Sequence, residues 1–237
     1  MIKLIFLMIF LSPSTLLESP MNYLVIWNVG QGSWSTLLKG HECWHFDAGG
    51  ETFPNPIEKL CRQKQNKIFI SHDDWDHISF ISRLVSWPQL CLFKFPLKIK
   101  SARNQKIFNR LKICPTTNEV TELEWPRKGK TANDLSRVFY LPFAQTLFPG
   151  DSTSGEEKSW APKTKKLSIK WWLLGHHGSK TSSSEILIQN IGHPLGAISS
   201  ARYKRYRHPH HLVQARVRQN GISLLRTEDW GHLWIQI

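Results

Sequence analysis

Histidine and aspartate are concentrated in one short segment of the chain, Ser71-His-Asp-Asp-Trp-Asp-His77, which follows an apolar stretch at residues 67–70. Two imidazoles and two carboxylates of this segment, from His72, Asp74, Asp76 and His77, are ligand types that suit Zn²⁺ or Mn²⁺. So many acidic groups in one loop repel each other unless a cation offsets their charge. The segment therefore predicts a metal site.

Two later segments have the same form, because ligand-type residues again follow an apolar run. Asp151 comes after residues 145–148, and His176 and His177 come after residues 171–174. If the three apolar runs are strands that lie side by side in one sheet, their ligands meet at one edge. That edge is where open α/β sheets bind ligands.

The pattern of apolar residues predicts the elements that carry these groups. Strands are predicted at residues 23–29, 35–38, 43–46, 67–71, 135–141, 145–148, 171–175 and 197–200. Helices are predicted at residues 56–65, 78–85, 104–112 and 212–219, and a capping box from Ser182 to Glu185 predicts one more. Residues 116–133 and 152–166 are polar and are predicted to be loops. This mixture of elements indicates a layered α/β or α+β domain.

Composition limits the class of protein further. The chain has 237 residues, of which 41% are hydrophobic, so it is globular rather than disordered. Its 31 Lys and Arg residues exceed its 18 Asp and Glu residues, which gives a formal charge of +13. This charge favours an anionic partner such as nucleic acid or a membrane surface, although a solvated basic surface accounts for it equally well.

The four cysteines stand far apart, with no Cys-x-x-Cys pair, which excludes a zinc ribbon and a small disulfide-rich scaffold. Two disulfides are possible, but four buried thiols are the expected state.

Residues 1–20 are set apart from the domain predicted at residues 21–237. The run at residues 1–11 is apolar apart from one lysine near its start, which is a pattern typical of a secretory signal. No clear small-x-small cleavage site comes after it, however. Met21 directly precedes the first predicted strand and is an alternative start. The chain is periplasmic or secreted in the first case and cytoplasmic in the second, and a weak membrane anchor is a third interpretation.

Six segments taken together resemble a known family. In chain order they are Val29-Gly-Gln-Gly32, Phe46-Asp-Ala-Gly-Gly50, the His and Asp segment, Phe148-Pro-Gly-Asp151, His176-His-Gly-Ser-Lys-Thr-Ser-Ser-Ser184 and Tyr206-Arg-His-Pro-His210. They look like the metallo-β-lactamase-fold domain at the C-terminal end of ComEC, the DNA-internalisation competence protein. The resemblance implies a four-layer αββα sandwich of two mixed sheets flanked by helices, and hydrolysis of phosphodiester bonds in DNA.

The resemblance also implies roles for individual residues around two divalent ions, Zn²⁺ or Mn²⁺. The implied ligands are His72 and Asp74 for one ion, Asp76 and His77 for the other, Asp151 as a bridge, and one of His176 and His177, with His176 favoured. Asp47 is implied to support the site, and Asp76 and His208 are the implied catalytic residues. Another histidine ligand of the wider superfamily is absent, and Asn133 and Ser136 stand in that region, so one ion is expected to be held weakly.

Phosphodiester hydrolysis requires an activated water molecule and stabilisation of negative charge, which a pair of divalent ions supplies. His208 would protonate the leaving oxygen. Predicted substrate contacts come from the start of the helix after residue 184 and from the basic, tyrosine-containing segment at residues 202–207. These contacts are Ser179, Lys180, Ser182, Arg202 and Arg205.

Two other functions compete with a DNA hydrolase. One is a metallo-hydrolase acting on another phosphodiester or ester, because a fold does not determine a function. The other is a basic nucleic-acid-binding module with a weakened metal site. ComEC also has a transmembrane channel domain, whereas this chain has no apolar run of 18 residues. We therefore expect a stand-alone relative without an integral membrane domain, with no competence role carried over.

Overall fold

The computed structural model describes residues 22–237, so the signal-like segment predicted at residues 1–20 lies outside the described residues. The strands are β1 (Tyr23–Ile26), β2 (Ser35–Lys39), β3 (Glu42–Phe46), β4 (Gln65–Phe69), β5 (Leu90–Leu92), β6 (Lys112–Ile113), β7 (Thr121–Leu123), β8 (Val138–Leu141), β9 (Thr146–Phe148), β10 (Trp171–Leu173), β11 (Gly196–Ser199), β12 (Ser223–Arg226) and β13 (Leu233–Gln236).

Short helices connect these strands. They are α1 (Pro56–Cys61), α2 (Trp75–Ile78), α3 (Ile81–Leu84), α4 (Ala102–Phe108), α5 (Ser154–Trp160), α6 (Glu185–Ile191), α7 (Tyr203–Tyr206), α8 (His211–Gln219) and α9 (Thr227–Trp230). Two 3₁₀ segments, Ala161–Lys166 and Gly175–Gly178, follow α5 and β10. In the part of the chain that the structure describes, no helix is long and apolar enough to cross a membrane.

The strands form two mixed sheets. The first has the order β13-β1-β2-β3-β4-β5-β6, and the second has the order β12-β11-β10-β9-β8-β7. In the first sheet β3, β4, β5 and β6 run parallel, and in the second β9, β10, β11 and β12 do. The remaining neighbours are antiparallel.

Apolar side chains bury both faces of each sheet, which accounts for four layers. One cluster, which includes Ile57, Ile68 and Phe108, packs α1, α3 and α4 on the outer face of the first sheet. Another cluster packs α5, α6 and α8 on the outer face of the second sheet. A third cluster lies between the sheets. Its aromatic contact between Phe46 and Phe148 has a ring-centroid distance of 4.1 Å.

The layered α+β prediction and the two mixed sheets flanked by helices are confirmed by this architecture. The eight predicted strands are all present, with ends that differ by no more than three residues. The three strands that lead to the candidate ligands do not, however, lie side by side in a single sheet. β4 belongs to the first sheet, whereas β9 and β10 are neighbours in the second. The candidate ligands therefore meet across two sheets rather than along the edge of one.

Several local predictions were wrong because packing partners are distant in the sequence. Residues 152–166 form α5 and a 3₁₀ segment rather than a loop. The segment was predicted to be a loop because it is polar, but Glu156 and Glu157 are buried and accept hydrogen bonds. The loop predicted at residues 116–133 contains β7, and the helix predicted at residues 78–85 is divided between α2 and α3.

The N-cap of α6 also differs from the predicted capping box. Ser184, not Ser182, accepts the hydrogen bond from the backbone N–H of Leu187, so Glu185 is the first helical residue rather than the third. A run of three serines offers three possible caps, and only the tertiary structure selects one of them.

The cysteines are paired, which corrects the expectation of four thiols. Cys43 on β3 is bonded to Cys61 at the end of α1, and Cys91 on β5 is bonded to Cys114 just after β6. The Cα atoms are 5.8 Å and 5.0 Å apart, which is within the range that a disulfide requires. Spacings of 18 and 23 residues gave no indication of this pairing, because each pair is brought together by packing against the first sheet.

We predict that replacing both Cys43 and Cys61 with alanine lowers the free energy of unfolding by about 3 kcal/mol, because the cross-link restricts the unfolded chain. Urea unfolding of the oxidised full-length protein measures the change. Reduction of the wild-type protein serves as the control and should destabilise it at least as much. Four titratable thiols in the unreduced, denatured protein would contradict both disulfides.

Candidate metal centre

The candidate ligands follow the carboxyl ends of parallel strands in both sheets. The His and Asp segment follows β4, and Asp47 follows β3, its parallel neighbour. Asp151 follows β9, and His176 and His177 lie in the 3₁₀ segment after β10. Because the sheets pack face to face, these strand ends meet at one edge of the sandwich.

Asp151 lies at the centre of this edge, and its carboxylate faces four imidazoles. Its Oδ1 atom is 2.9 Å from Nε2 of His77 and 3.8 Å from Nε2 of His177. Its Oδ2 atom is 3.6 Å from Nε2 of His176 and 3.8 Å from Nε2 of His72. Each carboxylate oxygen thus faces its own pair of histidines, which is the arrangement of a bridging ligand.

Each pair of histidines is completed by one aspartate. Asp76 Oδ2 is 3.1 Å from Nε2 of His177, and donor atoms of Asp76, His77, Asp151 and His177 all lie within 4.8 Å of one another. On the other side, Asp74 Oδ2 is 3.7 Å from Nε2 of His72. The residues therefore divide into two donor sets that share Asp151.

Contacts on the Nδ1 side hold two of these rings in place. Nδ1 of His77 donates a hydrogen bond to Oδ2 of Asp47 at 2.7 Å, and Nδ1 of His177 donates to the backbone carbonyl of Ser200 at 3.0 Å. A donating Nδ1 leaves the Nε2 lone pair free to bind a metal ion. Asp47, predicted to support the site, also accepts from the backbone and hydroxyl of Ser71.

His72 is held by two serines instead of a carboxylate. Its Nδ1 atom is 3.0 Å from Oγ of Ser71 and 3.3 Å from Oγ of Ser136. Ser136 Oγ also accepts a hydrogen bond from the backbone N–H of Asp151 at 3.0 Å. Ser136 thereby ties the two strand ends together, although the sequence indicated only that it stands where a histidine is absent.

Unsatisfied atoms at the centre show that the residues fit a cation. Among the described residues, Nε2 of His72, Nε2 of His77 and Oδ1 of Asp151 are buried without a hydrogen-bond partner. Buried polar atoms of native proteins are rarely left in this state. An imidazole lone pair and a carboxylate oxygen 2.9 Å apart also repel each other unless a proton or a cation compensates them. The donor set of imidazoles and carboxylates suits Zn²⁺ or Mn²⁺.

The ionisable groups perturb one another strongly. Burial would raise the pKa of Asp151, but the imidazoles of His77 and His177 lower it well below its usual value. Burial would likewise lower the pKa of His77, but the carboxylates of Asp151 and Asp47 raise it well above its usual value. The pKa of His177 is raised against burial by Asp151 and Asp76. Without a metal ion, the neighbouring carboxylates therefore favour the protonated form of both rings.

The backbone at the site is held in unusual conformations. Asp47, His176 and His177 have φ values of 54°, 49° and 56°, in the left-handed region that non-glycine residues rarely adopt. Such strain costs about 1–2 kcal/mol for each residue and persists only where the surroundings impose it. At Gly49, a Cβ would lie 2.4 Å from the backbone of Asp76 and His77, so this turn packs directly on the His and Asp segment.

The two adjacent histidines occupy different positions. His177 is 3% exposed and belongs to the buried set with Asp76 and His77. His176, which the resemblance favoured as the closing ligand, has a side chain 29% exposed and faces the other oxygen of Asp151. Asn133 lies beside it, with its Nδ2 atom 3.4 Å from the ring nitrogens of His176.

His208 lies next to the centre, with its ring centroid 6.0 Å from that of His176 and Nδ1 3.5 Å from Nε2 of Gln31. Burial, together with His177 and His176, lowers the pKa of His208 to about 4. The ring is therefore neutral at pH 7. It can act as the predicted proton donor only when an anionic substrate raises its pKa.

Two predicted substrate contacts are not accessible. Ser182 is 1% exposed, and its hydroxyl donates to the backbone carbonyl of Gly175 at 2.5 Å. Ser179 is 7% exposed and contacts the hydroxyl of Thr181.

The start of α6, predicted to attract phosphate, is already occupied by a carboxylate of the protein. Buried Glu157 accepts hydrogen bonds from the backbone N–H groups of Ser183 and Ser184 at 2.6 Å and 2.7 Å. An anionic substrate therefore cannot use these amides.

The three remaining predicted contacts, Lys180, Arg202 and Arg205, are on the surface. Both arginines are paired with Glu51, at 3.1 Å and 3.0 Å. The sequence did not indicate this carboxylate, which lies about 150 residues away in the chain.

Two tryptophans that lie in or next to the motif segments differ in exposure. Trp34 is fully buried in the core, whereas Trp75, between Asp74 and Asp76, is 64% exposed. Only Trp75 can contact a substrate.

Lys100 is a site residue that sequence reasoning missed. Its Nζ atom contacts Oδ1 of Asp74. It follows the His and Asp segment by more than 20 residues and lies in a generally basic stretch, so no local pattern distinguishes it.

Comparisons with known proteins agree with the observed fold. No family model matches the chain. The solved metallo-β-lactamase-fold protein YhfI from Bacillus subtilis matches 90% of this chain and 100% of its own, with a TM-score of 0.61 and 11% identity. Competence protein ComA of Neisseria gonorrhoeae is 27% identical over 223 residues, which are 88% of this chain and 31% of ComA. Recombination protein 2 of Haemophilus influenzae is 25% identical over 228 residues, 87% of this chain and 28% of that protein.

The protein thus has the metallo-β-lactamase fold, which confirms the architecture predicted from its motifs. Its sequence is similar to the ComEC-type competence proteins, as the motifs also predicted. The chain spans about three tenths of the length of the two competence and recombination proteins.

We predict that Asp47→Asn weakens Zn²⁺ binding about 10–100-fold at pH 7, because the amide no longer supports His77 as a basic ligand. Wild-type affinity should rise from pH 6 to pH 8, since Zn²⁺ must displace protons from His77 and His177, whose pKa values are raised. In Asp47→Asn this rise should move to lower pH. Competition with a chromophoric chelator measures both effects.

Asp229→Asn, a change at an exposed carboxylate paired with Arg226, is the matched control. Equal affinities and equal pH profiles for Asp47→Asn and the wild-type protein would show that Asp47 does not support His77.

Proposed function

We propose that residues 21–237 form a metal-dependent hydrolase domain that cleaves phosphodiester bonds, with DNA as the substrate. The observation that carries this proposal is the position of Asp151, whose two carboxylate oxygens face separate donor sets. One set contains Asp76, His77 and His177, and the other contains His72, Asp74 and His176.

The residues present would hold two divalent ions, Zn²⁺ or Mn²⁺, with Asp151 shared between them. When bound, such a pair activates water and offsets the charge of a phosphate undergoing in-line displacement. In this arrangement His176 replaces the histidine that the sequence lacks before Asp151. Asn133 lies beside this ring, with its Nδ2 atom 3.4 Å from both ring nitrogens.

His208 would contact the phosphate and the leaving oxygen. Because the amide of Gln31 is a donor, Nδ1 of His208 is the acceptor in their 3.5 Å contact, and Nε2 carries the proton. A neutral imidazole of this kind donates a hydrogen bond to an anionic phosphate. The phosphate in turn raises the pKa of the ring, so that the ring takes up a second proton from solvent and, as the imidazolium, transfers a proton to the leaving oxygen.

Charge and similarity support DNA as the substrate. The formal charge of +13 favours a polyanion, and Lys180, Arg202 and Arg205 are exposed cations near the centre. The similar proteins are named for competence and recombination, which are processes that act on DNA.

We predict that Asp76→Ala and Asp151→Ala each lower metal-dependent cleavage of a labelled DNA oligonucleotide by at least about 10³-fold, because each removes a ligand of the charge-stabilising ions. Both variants should retain salt-sensitive DNA binding, since the basic surface is unchanged. Gel assays of the full-length protein with Mn²⁺ or Zn²⁺ measure cleavage, and fluorescence anisotropy measures binding.

Asp229→Ala is the control for loss of an acidic residue and should cleave DNA at the wild-type rate. Cleavage by Asp151→Ala at the wild-type rate would overturn the assignment of the site. Wild-type protein that hydrolyses bis(p-nitrophenyl) phosphate but leaves every DNA substrate intact would instead favour another phosphodiester or ester as the substrate.

We further predict that His176→Ala and His177→Ala each reduce the bound metal from about two ions to about one per chain after dialysis. Each substitution removes a donor from a different side of Asp151, so the double variant should bind less metal than either single variant. Inductively coupled plasma mass spectrometry of the purified full-length proteins gives the ratio.

His193→Ala changes an exposed histidine outside the site and is the matched control. If His176→Ala keeps the wild-type metal content, His176 is not a ligand and Asp151 bridges no second ion on that side.

A further inference from the structure

Asp73 lies inside the His and Asp segment but is not among its predicted metal ligands. It is 2% exposed, and its Oδ2 atom accepts hydrogen bonds from the backbone N–H of Lys100 at 2.5 Å and from Nδ2 of Asn104 at 3.0 Å. Asn104 also donates to the backbone carbonyl of Asp73 at 3.2 Å. The buried carboxylate of Asp73 thus holds the main chain at Lys100 in place.

This anchor places the ammonium group of Lys100 at the rim of the centre. Nζ of Lys100 contacts Oδ1 of Asp74, while the other oxygen of Asp74, Oδ2, is the one that faces His72. Lys100 and the donor set of His72 therefore use different oxygens of the same carboxylate. The lysine side chain is 44% exposed, so its ammonium group faces solvent as well.

We propose that Lys100 is a substrate-binding residue, whose ammonium group contacts the phosphate that is hydrolysed. This inference rests on the proposed function and extends it to a residue outside the recognised motifs. The phosphate gains negative charge as its diester bond is attacked. A fixed cation beside Asp74 stabilises this developing charge more than that of the bound substrate.

The ion pair with Asp74 does not by itself account for this arrangement. A partly exposed Lys–Asp pair contributes at most about 1 kcal/mol and does not require a buried anchor. The anchor through Asp73 holds the backbone of Lys100 whether or not the ammonium group is paired. The side chain can therefore exchange Asp74 for a phosphate oxygen without movement of the main chain.

Two substitutions at Lys100 test the proposal in the full-length protein. Lys100→Met removes the charge at similar length, and Lys100→Arg keeps it. Lys98→Met is the matched control, since Lys98 is a nearby exposed lysine whose Nζ atom donates to the backbone carbonyl of Lys130. The measurements are metal content by mass spectrometry, binding of inorganic phosphate to the Zn²⁺-loaded protein by calorimetry, and hydrolysis of bis(p-nitrophenyl) phosphate.

We expect Lys100→Met to keep the wild-type metal content, bind phosphate about tenfold more weakly and lose about 10²-fold in kcat/KM. Lys100→Arg should recover most of both losses, and Lys98→Met should behave as the wild-type protein. Unchanged phosphate binding and kcat/KM in Lys100→Met would overturn the proposal. So would a loss of metal in proportion to the loss of activity, because Lys100 would then only position Asp74.

Failure of the proposed function gives a different result. If the metal-loaded wild-type protein hydrolyses no phosphodiester, the hydrolase assignment is wrong. The phosphate-binding comparison between the wild-type protein and Lys100→Met still decides whether Lys100 binds a phosphate.

Discussion

The buried carboxylate of Asp151 lies among four imidazoles, and the rest of the site is arranged around this charge. A carboxylate removed from water is stable only if positive charge or hydrogen bonds compensate it. The carboxylates raise the pKa of His77 and of His177, which favours compensating protons on these rings, and divalent cations would compensate the charge more completely. Because no single strand end carries all the partners, the charge can be buried only where two sheets meet.

The apolar framework makes this meeting possible. Phe46 packs against both Phe69 and Phe148 between the sheets, and each of the three lies at the end of a strand that leads into the site. Their packing holds the loops after β3, β4 and β9 in fixed relative positions. The tight approach at Gly49 and the left-handed backbone at Asp47 then bring a second carboxylate against His77. Burial of aromatic rings thus stabilises a polar centre that would otherwise be costly.

Surface electrostatics near the centre follow a common pattern. Three exposed cations are each paired with a carboxylate. Lys100 contacts Asp74, and Arg202 and Arg205 both contact Glu51. Such pairs are weak in water, so a phosphate of the substrate can compete for the same cations. An anionic substrate would therefore meet cations that are already held in place rather than mobile side chains.

The sequence by itself determined eight of the thirteen strands in residues 22–237, the ligand segments and the family resemblance, because these depend on local alternation of apolar residues and on motifs read in chain order. Only the tertiary structure decided that β4 and β9 belong to different sheets, that the cysteines are paired and that His177 lies in the buried set. It also decided that Ser182 and the start of α6 are closed to substrate and that Lys100 reaches Asp74. Each of these outcomes depends on contacts between residues far apart in the chain, such as Glu157 with Ser183, and local patterns do not encode such contacts.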